Sequence, residues 1–311
     1  MKAAILLVIC WLGSGLAAGE HSSINLEQNL SNHVDFLTTT SEFRNHEHPP
    51  TLDSVAAYID SIFSISSSRV ERQYFEADGN QYQNVIASFG PPGGDRIVVG
   101  AHYDVAWDQP GADDNASGVA GLLELARLLG PVEEELDTRI DLVAFTLEEP
   151  PHFRTPFMGS AVHSNSLVDA GVEIELMISL EMIGYYDDQS GSQAYPVGFL
   201  KWFYPSSGDF IAVVSDFKSN RYARKMRSIM RKRSNIKVAK LAAPASMPGV
   251  DFSDHLNYWS HGFKAVMITD TAFFRNHNYH LTTDTPNTLD YQRMSEVVHG
   301  VFQSVLQFAT K

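Results

Sequence analysis

Apolar positions along this chain follow two periods. Six short runs rich in β-branched and aromatic residues predict strands at 82–89, 96–101, 140–146, 176–180, 210–214 and 265–269. Between several of them, apolar residues recur at helical spacing and predict helices at 117–129, 221–233 and 291–308. The strand runs are nearly continuous in apolar residues, which is typical of strands buried on both faces. The pattern therefore predicts an α/β fold with helices on both sides of one sheet.

The first 18 residues have the pattern of a secretory signal peptide. Lys2 precedes an apolar stretch at 3–12, and small residues follow at 15–18, a segment too short for a stable membrane span. The only cysteine, Cys10, lies in this segment, so the mature protein is expected to lack thiols and disulfides. The sequence predicts a secreted or periplasmic protein without stable membrane insertion. Residues 19–311 are predicted to form a single domain that starts with a helical segment, including a helix at 52–60.

Composition and charge favour an enzyme in solution. The chain has 311 residues, 44% of them hydrophobic, and a net charge of −14. This length can bury a large core, and the acidic balance argues against nucleic-acid binding. The basic residues at 221–233 are the exception, but Tyr222, Met226, Ile229 and Met230 recur among them at helical spacing. We interpret this stretch as an amphipathic helix with a solvated basic face rather than as an anion or membrane site.

Polar side chains follow the second predicted strand. His102 comes at its carboxyl end, and Asp104 leaves the extended backbone on the same side. An aspartate there could take the second ring N–H of a metal-binding imidazole. A core histidine paired with a surface aspartate fits the fragment equally well.

Asp114 precedes a predicted helix, where a carboxylate could favour the helix dipole. Alternatively, the turn at Pro110 and Gly111 brings it back beside His102, where its two oxygens could bridge two cations.

Carboxylates and a second histidine continue this series. Glu148 and Glu149 follow the strand at 140–146, Glu181 follows the strand at 176–180, and His280 lies close to the last predicted helix. Adjacent glutamates are often a solvated turn, but open α/β sheets place their chemistry at the carboxyl ends of strands. With His102, these side chains form a set of oxygen and imidazole donors without sulfur, which suits zinc.

The motifs resemble those of the secreted two-zinc aminopeptidases, whose fold is shared with glutamate carboxypeptidase and glutaminyl cyclase. The matching stretches are Gly-Ala-His-Tyr-Asp at 100–104, Pro-Gly-Ala-Asp-Asp-Asn-Ala-Ser-Gly at 110–118, Glu-Glu at 148–149, Leu-Glu-Met-Ile-Gly at 180–184, and Tyr-His with Asp-Thr-Pro at 279–286. The resemblance extends from about residue 80 to the C-terminus. It implies a three-layer αβα sandwich with a mixed, mostly parallel central sheet.

The resemblance also implies a role for each matching residue. Asp114 would bridge two Zn²⁺ ions, His102 and Glu181 would complete one site, and Glu149 and His280 the other. Asp104 would orient His102. Glu148 would be the general base that takes a proton from a metal-bridged water, and Tyr279 would be a further donor to the oxyanion.

Two features of the match leave alternatives open. The family commonly has aspartate where this chain has Glu181, so the longer side chain could change the affinity of that site or its preferred ion. Asp251, Asp254 and Tyr258 could line the pocket, but we favour a role for them in capping a helix.

The expected function is that of a metallopeptidase. The leading hypothesis is an aminopeptidase acting on peptides with a free N-terminus. The first alternative is another reaction on the same scaffold, either glutaminyl cyclisation with one zinc or carboxypeptidase cleavage. The second is a binding domain without catalysis, but such a domain is expected to lose ligands or the base, and all of them are present here.

Overall fold

An eight-stranded mixed sheet forms the centre of the molecule. The structure is a computed structural model that describes residues 14–310. Its strands are β1 (Val70–Ala77), β2 (Asn80–Phe89), β3 (Arg96–His102), β4 (Arg139–Phe145), β5 (Ile174–Glu181), β6 (Phe210–Ser215), β7 (Lys237–Ala242) and β8 (Ala265–Thr269). Their order across the sheet is β1-β2-β4-β3-β5-β8-β6-β7.

The four central strands run in one direction. β4, β3, β5 and β8 are parallel, whereas β2 and β6 run antiparallel to them on either side, and β1 and β7 form the two edges. The carboxyl ends of β3, β4, β5 and β8 therefore meet at one edge of the sheet, where open α/β sheets bind their ligands.

Helices cover both faces of the sheet. The helices are α1 (Ser14–Thr38), α2 (Pro49–Ser66), α3 (Gly118–Leu129), α4 (Gly159–Asp169), α5 (Asn220–Arg233), α6 (His255–Ser260) and α7 (Tyr291–Ala309). α4 and α6 pack together on one face, and the other helices contact one another on the opposite face. Along β3, Ile97 and Val99 join the core on the side of α3 and α7, whereas Val98 joins the core beside α4 and α6. This alternation follows from the period of two in a strand.

The predicted three-layer α/β fold with a mixed, mostly parallel sheet is confirmed. The sequence analysis predicted six strands and missed β1 and β7, the two edges. Both strands are largely half-exposed and carry charged residues, such as Glu71 and Arg72 in β1 and Lys237 and Lys240 in β7. Edge strands face water, so their sequences lack the continuous apolar run that marks a central strand.

The N-terminal prediction lies largely outside the described residues. Residues 1–13 of the proposed signal peptide are not described, so its cleavage stays a prediction. Between residues 14 and 310, no helix combines the length and the apolar character needed to cross a membrane.

Candidate metal centre and active site

The parallel strands place two predicted ligands side by side. His102 is the last residue of β3 and Glu181 is the last residue of β5, its neighbour in the sheet. The Nε2 atom of His102 lies 3.4 Å from Oε2 of Glu181. Ser253 donates a hydrogen bond of 2.7 Å to the same Glu181 oxygen, which fixes the carboxylate from the side of α6.

A short turn after β4 carries the glutamate pair. Leu147 has a positive φ of 57°, which turns the chain after the strand ends. The Asp104 carboxylate accepts the backbone N–H groups of Glu148 at 3.1 Å and Glu149 at 3.0 Å. Its contact with His102 differs from the expected one, because the carbonyl oxygen of Asp104 is the nearer atom to Nδ1, at 3.2 Å, and the carboxylate is 3.5 Å away. Asp104 therefore contacts His102 and also positions the glutamate turn.

The turn that carries Asp114 is held by contacts from distant parts of the chain. Asp284 accepts the backbone N–H groups of Asp113 and Asp114, and the buried guanidinium of Arg44 donates to the carbonyls of Pro110 and Gly111.

Asn115 joins this turn to the end of β5. Its Nδ2 donates to the carbonyl of Leu180, and its Oδ1 accepts the N–H groups of Met182 and Gly118, the first residue of α3. Asn115 thus caps α3, whereas Ser117, the residue directly before the helix, makes no such bond. The same amide therefore starts a helix and locks the Asp114 turn against the strand that ends in Glu181.

The predicted ligands come together in two groups that share Asp114. Oδ1 of Asp114 lies 3.4 Å from Nε2 of His102, and its Oδ2 lies 3.1 Å from Nε2 of His280. Oε2 of Glu149 is 3.4 Å from the same His280 nitrogen. The first group is His102, Asp114 and Glu181, and the second is Asp114, Glu149 and His280. Within each group, one donor atom of each residue lies within 4.8 Å of the donor atoms of the other two, as a shared cation requires.

Two of the donor atoms make no well-formed hydrogen bond, although one of them, Nε2 of His280, lies 3.1 Å from Oδ2 of Asp114. Oε1 of Glu149 and Nε2 of His280 are buried and accept or donate no hydrogen bond within the described residues. Unpaired buried polar atoms are costly, so they point to a missing partner such as a cation. The donor set, two imidazoles and three carboxylates without sulfur, fits zinc.

The electrostatics of the site follow from burial and from close opposite charges. Burial raises the pKa of Asp114, but the neighbouring His102 and His280 outweigh it and hold that pKa well below its usual range. Burial, with the charge of Asp114, raises the pKa of Glu149 to about 7. Burial lowers the pKa of His280, yet the carboxylates of Asp114 and Glu149 raise it to about 10. A dense group of acids with two imidazoles is the environment that a bound cation would stabilise.

Glu148 and Tyr279 lie beside the ligands. Oε2 of Glu148 is 3.9 Å from Nε2 of His102, and the side chain is only 6% exposed. Burial, with the charges of Glu149 and Glu181, raises the pKa of Glu148 well above its usual value. The Tyr279 ring stacks on His280 with centroids 3.8 Å apart. Every residue predicted for the site therefore lies at this sheet edge.

Asp254 lies closer to the site than the sequence analysis favoured. It is fully buried, and neither carboxylate oxygen makes a hydrogen bond within the described residues. Burial raises its pKa to about 7, with the charge of His102 opposing the shift and that of Glu181 adding to it. As residue before α6 it makes no side-chain cap bond, so the capping interpretation is wrong for Asp254. Asp254 directly follows Ser253, whose hydroxyl donates to Glu181, and this contact brings Asp254 to the site.

An apolar cavity opens from the metal centre. Glu181 and Tyr279 lie at its inner end, and Phe210, Val250 and Met267 are among its walls. The loop between β5 and β6 contributes Leu200 and Tyr204 among other side chains. The cavity can hold an apolar group next to the candidate ligands.

The fold and the site place a group of carboxylates and imidazoles at the carboxyl edge of an α/β sheet. Residues 84–305 match the family model described as Peptidase family M28. The chain belongs to this family, and the prediction of a hydrolase of the peptidase class is confirmed.

Individual relatives agree with this assignment. The uncharacterized protein YfbL of Escherichia coli K12 is 46% identical over 94% of this chain and 90% of its own length. A probable leucine aminopeptidase of Arthroderma otae is 26% identical over 89% of this chain and 72% of its own. Among solved structures, the LapA aminopeptidase of Legionella pneumophila has a TM-score of 0.75 at 15% identity, over 100% of this chain and 78% of that one. A glutaminyl cyclase of Porphyromonas gingivalis has a TM-score of 0.67 at 20% identity, over 91% and 98%.

Proposed function

We propose that this protein is a zinc aminopeptidase that removes the N-terminal residue of peptides. The observation that carries the proposal is the pair of ligand groups that share Asp114, with Glu148 on the same wall. Two cations about 3.5–4 Å apart are typical of aminopeptidase sites in which one carboxylate serves both metals. The named leucine aminopeptidases among the relatives support the same reaction.

Each residue of the site has a proposed role in metal binding or catalysis. His102, Asp114 and Glu181 would hold one zinc, and Asp114, Glu149 and His280 the other. Bound zinc supplies Lewis-acid polarisation of the scissile carbonyl and lowers the pKa of the attacking water. Glu148 takes the proton from that water and delivers it to the leaving amine. Tyr279 donates a hydrogen bond to the developing oxyanion.

The cavity indicates which N-terminal residue is preferred. Its walls are mainly apolar and aromatic, so burial of a large apolar side chain there contributes binding free energy. An acidic or basic side chain would lose its hydration against these walls, where Glu181 and Lys240 are the charged residues among the lining side chains. We therefore propose leucine-like or phenylalanine-like N-terminal residues as the best substrates.

Hydrolysis of aminoacyl anilides by protein of measured metal content tests this function. Leucyl and phenylalanyl substrates should be cleaved at least tenfold more efficiently than glutamyl or lysyl substrates. N-acetylated leucyl substrate should be inert, since the free amine is lost. Cleavage of the acetylated substrate at an equal rate would reject the aminopeptidase assignment.

Glutaminyl cyclisation is the second candidate. The glutaminyl cyclases of Bacteroides thetaiotaomicron and Porphyromonas gingivalis share the fold of this protein, each with a TM-score of 0.67. Formation of pyroglutamate from a glutaminyl peptide, with one zinc per chain and no anilide hydrolysis, would favour the cyclase. Two zincs per chain with hydrolysis would favour the aminopeptidase.

Export of the protein is proposed from its first 18 residues. The positive start, the apolar stretch and the small residues at 15–18 support a cleaved signal peptide and a secreted or periplasmic location. N-terminal sequencing of protein expressed from the full reading frame should give Gly19 as the first residue. A mature chain that still starts at Met1 would contradict export by this route.

A further inference from the structure

The positive charge of this acidic protein is concentrated in one part of the chain. Residues 201–240 contain 11 of the 23 Lys and Arg residues but only two of the 37 Asp and Glu residues, in a chain with a net charge of −14. They comprise the end of the β5–β6 loop, β6, α5 and the edge strand β7. The remaining surface is strongly acidic, so the molecule has one basic side.

The cations of α5 are not neutralised by neighbouring acids. The helix contains seven basic residues and no acidic ones, and none of the seven forms a salt bridge to a described residue. Arg224, Arg227 and Arg231 recur at spacings of three and four and therefore share one side of the helix. Arg227 donates to the carbonyl of Val238, which places this side next to β7.

An exposed aromatic segment lies beside these cations. The short helical turn Gly198–Trp202 and the residue after it present Phe199, Trp202 and Phe203 to solvent, with 53%, 76% and 76% of each residue exposed. We call residues 198–203 the aromatic loop. Its Leu200 is buried and anchors it to the body of the protein. Large apolar side chains that project into water together usually mark a binding surface.

A groove joins the aromatic loop to the basic side. Phe203 lines it together with Arg227, Lys237 and Lys240. The Tyr204 hydroxyl donates to the carbonyl of Lys240, which holds the base of the loop against the edge strand. Exposed aromatic rings and cations therefore form one continuous surface, made of the aromatic loop, β7 and the Arg224–Arg227–Arg231 side of α5.

We propose that this surface docks the protein on membranes that carry anionic phospholipids. The sequence alone favoured a solvated basic face at 221–233, and the exposed aromatic loop beside it changes that interpretation. The cations complement the negative headgroups, each contributing to attraction near the surface. The aromatic rings would enter the headgroup region, where Trp is enriched in membrane proteins. Stable peripheral binding requires two contributions, and this surface supplies both: attraction of its cations to the headgroups and insertion of its aromatic side chains. A nucleic acid would use the cations, but binding through its phosphates would not require the exposed rings of Phe199, Trp202 and Phe203.

Docking would bring the active-site cavity close to the membrane. Leu200 and Tyr204 line both the groove and the apolar cavity that reaches Glu181. The orientation would favour peptides at the membrane surface over peptides in bulk solution. This inference goes beyond the proposed reaction and does not depend on it, because binding to lipid is measured without substrate.

Sedimentation with lipid vesicles tests the proposal on the mature full-length chain. The protein should sediment with vesicles of equimolar phosphatidylcholine and phosphatidylglycerol but not with phosphatidylcholine alone. Binding should weaken at ~0.5 M salt, where exposed charges are screened within a few ångströms. Absence of binding to the anionic vesicles, or equal binding to both kinds, would overturn the proposal.

Paired variants separate the two signals. Trp202→Ala with Phe203→Ala should lower the vesicle partition coefficient on the order of tenfold. Arg224→Gln with Arg231→Gln should lower it roughly 25-fold, since each cation is worth about fivefold. These exposed side chains have no partners in the fold, so the variants should remain folded.

Two matched controls make the result specific. Arg224→Lys with Arg231→Lys keeps the charge and should bind like the wild type. Tyr74→Ala removes an exposed ring on β1, at the opposite edge of the sheet, and should also leave binding unchanged. Full binding by the Trp202 and Phe203 variant would instead indicate a general polyanion surface and refute membrane docking. If the proposed aminopeptidase reaction is wrong, anilide hydrolysis will be absent while vesicle binding is unaffected, so the two proposals are tested separately.

Discussion

Glu148 and Glu149 are neighbours in the chain but have different surroundings. Glu149 lies 3.4 Å from His280 and keeps one buried oxygen without a partner, as expected of a ligand. Glu148 reaches no closer than 3.9 Å to His102. Asp104 holds both backbone N–H groups, so the turn fixes the two side chains in different directions. The same residue type can then serve two purposes at adjacent positions.

Substitution of each glutamate by glutamine should separate these purposes. Glu148→Gln removes a base but no ligand, so we expect kcat to fall by about 10²–10⁴ with normal zinc content. Glu149→Gln should lower both zinc content and activity. Metal analysis by mass spectrometry, together with anilide hydrolysis, checks both results. Activity near wild type in Glu148→Gln, or undiminished zinc in Glu149→Gln, would contradict the assigned roles.

The ligands could be predicted from sequence, whereas the residues that hold them could not. Most of the ligands and the base follow buried strands, and the surrounding motifs resemble a known family. Arg44 and Ser253 have no such local signal, and Asp284 lies in the matching Asp-Thr-Pro stretch without a motif that indicates its role. Asp284 supports the Asp114 turn across a separation of 170 residues, and Arg44 reaches the same turn from the segment between α1 and α2. Their roles depend on chain folding that no local pattern encodes.

At the scale of elements, the turn before α3 depends on Gly111. This residue has a φ of +60°, and a Cβ there would lie 2.3 Å from the carbonyl oxygen of Asp114 and from Val105. Gly111→Ala should therefore displace the turn, destabilise the protein by more than the roughly 1–2 kcal/mol of a left-handed alanine, and weaken metal binding. Thermal unfolding and zinc content measure both effects.

Gly171→Ala provides the matched control. Gly171 has nearly the same φ, +64°, but nothing lies within 4 Å of its Cβ position. The Gly171→Ala substitution should lower the free energy of unfolding only by the backbone strain of a left-handed alanine, and it should leave the zinc content unchanged. Equal destabilisation by the two substitutions would show that the contacts of Gly111 with the Asp114 turn are unimportant.

The elements that sequence predicts best are those with both faces buried. β3 and β5 are apolar almost throughout because helices cover the sheet on both sides, so their positions follow from the pattern alone. β1 and β7 contact water, and β7 gains its place through pairing with β6 and through bonds from Tyr204 and Arg227. Such tertiary partners are invisible in the pattern of a six-residue segment.

At the scale of the whole molecule, buried histidines make stability depend on pH. His163 lies between the sheet and α6 with its Nδ1 2.7 Å from the Tyr258 hydroxyl, and burial lowers its pKa to about 4. In the unfolded chain His163 binds a proton near pH 6.5, whereas in the folded protein it stays neutral until the pH approaches about 4. Stability should therefore fall as the pH drops from about 6.5 to about 4, by about 2–4 kcal/mol from this group.

Urea unfolding at several pH values measures this loss. His163→Asn keeps an acceptor for Tyr258 but does not titrate, so its unfolding free energy should fall less steeply across the same pH range. The wild type and the variant share all other titrating groups, and the difference between their slopes isolates His163. Parallel curves for the two proteins would exclude the histidine as a source of acid sensitivity.

The metal centre should also contribute to the stability of the whole fold. The ligands come from β3, β5, the turn before α3, the turn after β4 and the segment before α7, so the complete site exists only in the folded chain. Zinc at about 1,000 times its Kd would stabilise the folded state by about 4 kcal/mol. For a domain of this size that corresponds to a rise in Tm of about 6–8 °C. Chelation should remove it, and added zinc should restore it.

Calorimetry with and without chelator checks this prediction, with Glu149→Gln as the control. That variant lacks one ligand, so its Tm should change much less on chelation than the wild-type Tm. A chelator effect of equal size in both proteins would place the stabilising ion elsewhere. An unchanged wild-type Tm after complete removal of metal would mean that the closely spaced carboxylates around Asp114 need no cation to stabilise them. That result would contradict the assignment of zinc to this site.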